Sequence, residues 1–133
     1  MTELDPRAAG AKRLRDKVCV VTGAGQGIGR ATARRLGEEG GKIVVAERID
    51  ESATRTTAEL NEHGVDATKV LVDVSTFAGA QHLMGEARTA YGRIDVLVNN
   101  VGGTIGLRLP WLAPTDRHAD ADPADPAGHR RTC

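Results

Sequence analysis

Four short apolar runs alternate with longer helical patterns between residues 17 and 100. The runs are KVCVVTG (17–23), KIVVAER (42–48), KVLVDVS (69–75) and IDVLVNN (94–100). Such runs indicate strands buried on both faces, and their alternation with helices is typical of βαβ units. Because βαβ crossovers are right-handed, the sequence predicts an α/β fold with a partial doubly wound parallel sheet in the strand order 3-2-1-4.

Three helices are predicted between these strands. The first extends from about residue 26 to 39, and its inward face is predicted to carry Ile28, Thr32 and Leu36. The other two begin at side chains that can accept hydrogen bonds from the first helical N–H groups. The candidate caps are Asp50 or Ser52 for the second helix, and Ser75 or Thr76 for the third.

Composition narrows the range of partners. The 133 residues include 18 Lys and Arg against 18 Asp and Glu, and the only basic cluster is KRLRDK (12–17). No run is apolar enough for a membrane span or a secretion signal, so we expect a cytoplasmic chain with no nucleic-acid or membrane partner. The two cysteines are far apart and the four histidines lack neighbouring ligands, so no metal site is predicted.

A cluster of four glycines follows the first strand, in TGAGQGIGR (22–30). A helix N-terminus offers unpaired N–H groups and a partial positive charge, so a glycine turn at a strand–helix junction favours an anion site. The spacing G-x-G-x-x-G does not fit, because Ile28 stands at its last position. The spacing T-G-x-x-x-G-x-G fits, and the alternative is a turn that only links strand to helix.

Two further motifs accompany this turn: VDVS (72–75) after the third strand and NNVGG (99–103) after the fourth. Together, in this order, the three resemble the nucleotide-binding half of the short-chain dehydrogenase/reductase family. The resemblance implies half of a Rossmann fold that binds a dinucleotide cofactor. It also implies a reaction in which a hydride is transferred from an alcohol to NAD. Within the family, NNVGGTI together with VTGAGQGIGR resembles dehydrogenases of benzoate breakdown, which oxidise a cis-dihydrodiol carboxylate to a catechol with loss of CO₂ and production of NADH.

The resemblance gives each motif residue a role. Gly23 would form the tight turn, Gly27 would admit the pyrophosphate, and Gly29 would let the helix pack on the sheet. The other contacts would be made by Gln26 and Ile28 on the nicotinamide side, by Asp73 and Val74 at the adenine, and by Asn100 or Asn99 with Gly102 at the nicotinamide ribose. For Asp73 the alternative is helix capping, and for the asparagines it is a turn without a ligand.

Cofactor choice depends on the end of the second strand. Glu47 lies 18 residues beyond Gly29, where an acid is expected to accept hydrogen bonds from the ribose hydroxyls and repel a 2′-phosphate. Arg48 beside it is able to pair with such a phosphate. We expect NAD rather than NADP, with a solvated Glu-Arg pair as the alternative.

The family's catalytic residues are a Tyr-x-x-x-Lys pair and an upstream Ser, all beyond the fourth strand. Here the only tyrosine, Tyr91, is followed by GRID, and no Ser, Tyr or Lys follows Gly103. We therefore expect a chain that descends from dehydrogenases and binds the cofactor but has no catalytic activity. The alternative is a non-catalytic nucleotide-binding module or a non-functional fragment.

The domain organisation follows from these motifs. Residues 1–16 are predicted to be a flexible extension, 17–105 a truncated nucleotide-binding domain, and 106–133 a disordered tail outside the family. The tail is rich in Ala, Asp, Pro and Arg, as GC-rich coding DNA is when it is read out of frame. Truncation there would leave the fourth strand as an open edge, which favours self-association.

Overall fold

The computed structural model describes residues 12–102. Its elements are β1 (Val18–Thr22), α1 (Gly27–Glu38), β2 (Lys42–Glu47), α2 (Asp50–Glu62), β3 (Ala67–Leu71), α3 (Phe77–Tyr91) and β4 (Val96–Val98). The four strands are parallel and stand in the order β3-β2-β1-β4. This confirms the predicted α/β class and strand order. The predicted tail, 106–133, lies outside the described residues.

The sheet is covered on both faces, because successive strand residues point to opposite sides. One apolar cluster joins the sheet to α1 and α2, and the other joins it to α3. The first contains Cys19, Val21, Ala24, Ala33, Ile43, Val45, Ala53, Leu60 and Val65. The second contains Val18, Val20, Val44, Ala46, Val70, Leu83 and Ala87. Burial of both faces explains why β1 and β2 carry continuous apolar runs.

The prediction for the inward face of α1 was wrong for Ile28, whereas Leu36 packs partly against the first apolar cluster and Thr32 is half-buried. Ile28 is 78% exposed, and the residues buried along this helix are Gly29, Ala33 and Gly37. A Cβ atom at Gly37 would lie 2.6 Å from Cγ1 of Val65, closer than real Cβ contacts. The helix therefore meets its neighbours along a row of small residues, and close approach of the backbones decides its rotation rather than the placement of its larger apolar side chains.

Two boundary predictions are also corrected. β3 ends at Leu71, four residues before the predicted end, because the Asp73 carboxylate accepts a hydrogen bond from the Ser75 N–H (2.9 Å) and turns the chain. At α2, the residue in the N-cap position is Ile49, without a side-chain cap; Asp50 instead accepts a hydrogen bond from Lys69 Nζ at 2.6 Å. The predicted cap of α3 is confirmed at Thr76, whose hydroxyl accepts from the Gly79 N–H.

Part of the predicted flexible extension packs on the fold. Leu14 contacts the first apolar cluster, and its N–H donates to the carbonyl of Glu39 at 2.9 Å. Arg13 makes an ion pair with the buried Glu39 carboxylate at 2.9 Å and holds the pKa of that carboxyl below its ordinary value. Residues before the predicted boundary at Lys17 therefore belong to the packed fold. Residues 1–11 lie outside the described range.

Candidate functional site

The predicted site residues of all four strands lie at one edge of the sheet. Gly23 directly follows β1, and Glu47 is the last residue of β2. Asp73 and Asn100 each lie two residues after the ends of β3 and β4. Because the strands are parallel, these positions share the carboxyl edge, where ligands bind in open α/β sheets.

The glycine turn has the backbone conformation that its composition indicates. Gly23 and Gly27 have φ values of 64° and 57°, in the left-handed region that favours glycine. The Gly23 N–H donates to the carbonyl of Ala46 at 2.8 Å, which attaches the turn to the end of β2. A Cβ atom at Gly27 would meet no heavy atom within 4 Å, so the backbone there faces open space.

The N-terminus of α1 differs from the other two helix starts. Gln26 makes no side-chain cap, and the first turn of α1 holds no acidic residue. By contrast, α2 carries Asp50 and Glu51 in its first turn, and α3 is capped by Thr76. Among the described residues, the first N–H groups of α1 thus have no side-chain cap, and no acidic residue of the first turn offsets the helix dipole. Together with the bare backbone at Gly27, this arrangement fits an anionic group such as a pyrophosphate.

Gly29 lies against both the turn and the end of β4. A Cβ atom there would overlap the carbonyl oxygen of Gly23 and lie 2.7 Å from Nδ2 of Asn100. Asn100 donates through Nδ2 to the same Gly23 carbonyl, at 3.4 Å. The glycine turn, the start of α1 and the segment after β4 are therefore in direct contact.

Thr22 joins the same elements, a role that the sequence reasoning did not assign. Its buried hydroxyl donates to the Val98 carbonyl (3.2 Å) and accepts from the N–H groups of Asn100 (3.0 Å) and Val101 (3.2 Å). A threonine at the end of a buried strand, just before a glycine turn, was the available signal. The N–H donors across the sheet could not be identified from the sequence, because Asn100 and Val101 are 78 residues or more away.

Glu47 is half-buried and its carboxylate is held by backbone N–H groups. Its Oε2 atom accepts from Gly25 N (3.1 Å), and its Oε1 atom accepts from Arg48 N (2.9 Å). The acid at the end of β2 therefore has a defined orientation beside the glycine turn. The Arg48 side chain next to it is exposed.

Asp73 and Val74 lie beyond β3. Hydrogen bonds from Ser75, and then the positive charge of Arg48, hold the pKa of the Asp73 carboxyl below its ordinary value. Asp73 does not cap α3, since Thr76 does, and its carboxyl group is exposed. Val74 packs partly against the second apolar cluster.

The remaining predicted residues are exposed to solvent. Gln26 and Ile28 lie at the start of α1, and Gly102 ends the described range.

Within residues 12–102, no group of three or more His, Cys, Asp or Glu is arranged to hold a metal ion. None of the helices in this range is both long and apolar enough to cross a membrane.

Comparison with known proteins identifies the family. The sequence pattern of the short chain dehydrogenase family matches residues 17–122. The chain belongs to the short-chain dehydrogenase family. The match extends beyond residue 105, further along the chain than the three motifs indicated.

Individual family members match most of this chain over less than half of their own length. The 1,6-dihydroxycyclohexa-2,4-diene-1-carboxylate dehydrogenase of Acinetobacter baylyi is 41% identical over 84% of this chain and 40% of its own length. Its name agrees with the predicted resemblance to dehydrogenases of benzoate breakdown. The chain thus spans about two fifths of that relative.

Two solved structures resemble the chain in fold. A short-chain dehydrogenase of Burkholderia phymatum in complex with NAD has a TM-score of 0.65 and 38% identity, covering 67% of this chain and 32% of its own. A variant of actinorhodin polyketide ketoreductase with NADPH has a TM-score of 0.63 and 42% identity, covering 65% and 33%. One of these two proteins is thus seen with NAD and the other with NADPH.

Proposed function

We propose that this member of the short-chain dehydrogenase family binds a dinucleotide at the carboxyl edge of its sheet. The observation that carries the proposal is the uncapped start of α1 directly behind the open backbone at Gly27. Glu47, Asp73 and Asn100 follow the other three strands at the same edge. An anion site flanked by polar side chains suits a phosphate-linked pair of nucleosides.

The resemblance orders the contacts along this edge. The pyrophosphate would lie over Gly23 and Gly27, and Gly29 keeps the helix close enough for its N–H groups to reach the phosphates. Glu47 would receive the adenosine ribose, and Asp73 with Val74 would receive the adenine. The nicotinamide side would meet Gln26, Ile28, Asn100 and Gly102. When bound, the nicotinamide supplies the capacity to accept or return a hydride.

We propose NAD as the preferred cofactor. The Glu47 carboxylate has its place fixed by backbone N–H groups, so a 2′-phosphate brought near it would meet a negative charge that is not free to turn away. The Arg48 charge acts on the Asp73 carboxyl, which offers it an acidic partner at the same edge. The net effect favours a ribose with a free 2′-hydroxyl.

Calorimetric titration of the full chain with NAD and with NADP tests this function. We expect NAD to bind more tightly by about tenfold, equivalent to about 1.4 kcal/mol. Glu47→Gln removes the charge and is expected to bring the two dissociation constants close together, whereas Glu62→Gln, the same change at the far end of α2, leaves their ratio as it was. Absence of NAD binding at millimolar concentration would contradict the proposed function.

By descent, the reaction of the family is hydride transfer from an alcohol or a cis-dihydrodiol carboxylate to NAD, and the Acinetobacter relative carries a name of that kind. We propose that this chain binds the cofactor without catalysing that transfer. Tyr91, the only tyrosine, donates its hydroxyl to Asp66 at 2.8 Å, just before β3 and thus at the amino edge of the sheet. Burial and this hydrogen bond raise the Tyr91 pKa, which does not favour acid–base chemistry.

We also propose that the chain self-associates through β4. Among the described residues β4 pairs with β1 alone, and Leu97 in its centre is 45% exposed. A strand with one free edge offers unpaired N–H and C=O groups to a second strand. Sedimentation velocity over a range of concentrations is expected to show a species heavier than the monomer; a monomer at every concentration would contradict this.

A further inference from the structure

The backbone N–H and C=O groups of Gly25 both form hydrogen bonds, one with β2 and the other with α2. On one side, the Gly25 N–H donates to Oε2 of Glu47 at 3.1 Å. On the other, the hydroxyl of Thr56 in α2 donates to the Gly25 carbonyl at 3.2 Å. Thr56 is 1% exposed, so this carbonyl bond is shielded from water. Gly25 thus connects the end of β2 with the middle of α2.

The fold leaves no room for a side chain at Gly25. A Cβ atom there would lie 2.7 Å from Oε2 of Glu47 and 2.7 Å from Cβ of Ser52. Real Cβ atoms do not come that close, so any side chain at this position would displace the Glu47 carboxylate or α2. The orientation of Glu47 therefore depends on the conformation of Gly25.

We propose that Thr56 is a positioning residue for cofactor selection, acting through Gly25 on the Glu47 carboxylate. By holding the Gly25 carbonyl inside the fold, the Thr56 hydroxyl fixes the local backbone and with it the N–H that Glu47 accepts. The carboxylate then stays where a ribose 2′-hydroxyl would meet it. This inference rests on the proposed dinucleotide function and adds a specificity role to a residue that is buried away from the ligand.

Loss of the Thr56 hydroxyl has a defined consequence. Valine has nearly the shape of threonine but cannot donate, so the Gly25 carbonyl would remain buried without a partner. The backbone relieves this by rotating toward water, which moves the Gly25 N–H away from Glu47. NAD would lose a placed carboxylate, whereas NADP, which gains nothing from that carboxylate, would lose little.

The neighbouring residue of α2 provides a matched control. The Thr57 hydroxyl is buried and has no hydrogen-bond partner among the residues that the structure describes. Thr57→Val therefore makes the same chemical change one position along the same helix without removing a bond. Thr56→Ser keeps the donor while deleting a methyl group, and tests whether the hydroxyl itself matters.

The experiment titrates the full chain and these three variants with NAD and with NADP, and records each thermal midpoint. Thr56→Val is expected to weaken NAD binding by about fivefold to tenfold and NADP binding by about twofold or less. Thr56→Ser and Thr57→Val should keep the wild-type ratio of the two dissociation constants. If Thr56→Val weakens both cofactors equally, the residue is merely structural and the inference is wrong.

A second route avoids dependence on one variant. If Thr56→Val does not fold, Gly25→Ala displaces Glu47 directly. This variant is expected to lower the ratio of the NADP dissociation constant to the NAD dissociation constant. An unchanged ratio in Gly25→Ala overturns the inference. Wild-type chain that binds neither cofactor would refute the proposed function itself. If the wild-type chain prefers NAD, and Thr56→Val and Gly25→Ala keep the same preference, only the role of Thr56 is refuted.

Discussion

Replacing Gly29 by alanine is expected to destabilise the fold by about 3 kcal/mol, the upper end of the usual cost of overpacking. The added Cβ would overlap the Gly23 carbonyl oxygen, a backbone atom that cannot move like the end of a flexible side chain. The Gly23 N–H is bonded to Ala46, so the turn is held on β2 and the start of α1 must move outward instead. This would separate the N–H groups of α1 from the proposed phosphate position and abolish NAD binding.

Urea unfolding followed by circular dichroism measures this effect, and Gly85→Ala is its control. Gly85 lies in α3, and a Cβ atom there would meet nothing within 4 Å. An alanine in an open helical position is expected to stabilise the protein by about 0.5–1 kcal/mol. The two identical substitutions should therefore shift the unfolding midpoint in opposite directions. Equal shifts would mean that α1 does not contact Gly23 as described.

Replacing Thr22 by valine is expected to cost about 2 kcal/mol, because it removes all three hydrogen bonds of the buried Thr22 hydroxyl. The Thr22 side chain is 3% exposed, and its hydroxyl bonds the Val98 carbonyl and the N–H groups of Asn100 and Val101. Valine fits the same space, so the change removes these bonds with little effect on packing. The segment after β4 would lose its attachment to β1, and Asn100 its place beside the glycine turn.

Amide hydrogen exchange distinguishes this effect from general destabilisation. In Thr22→Val, the amide of Val101 should exchange faster than those of β2, and that of Asn100 should be affected less, because its N–H also donates to the Val98 carbonyl at 3.1 Å. Thr22→Ser, which keeps the hydroxyl, should retain protection at both positions. Uniform acceleration across the sheet would show that the hydroxyl supports overall stability and has no specific role at the end of β4.

Within the described range, the fold was predictable to the level of strand order. Valine-rich runs at 17–23 and 42–48, separated by a helical pattern and glycines, leave few topologies once right-handed crossovers are required. The glycine turn was predictable for a similar reason, because Gly23 and Gly27 are needed for backbone conformations that are local. Whether the assigned residues bind a cofactor stays a prediction.

Other features depended on residues far apart in the sequence. The docking of Leu14 and Arg13 near Glu39 was not predictable from a basic segment that looked like a solvated extension. The hydrogen bonds from Thr56 to Gly25 and from Thr22 to the end of β4 were not predictable either, because the sequence does not indicate which acceptor a threonine hydroxyl will meet.

The sequence by itself therefore determined the α/β class, the strand order and the position of the glycine turn, because each follows from local patterns and the handedness of the chain. Only the tertiary structure decided that α1 buries Gly29, Ala33 and Gly37 rather than the face marked by Ile28. Hydrophobic periodicity records where large apolar side chains stand along a helix. How closely two backbones approach depends on the absence of side chains between segments that meet only in the folded protein.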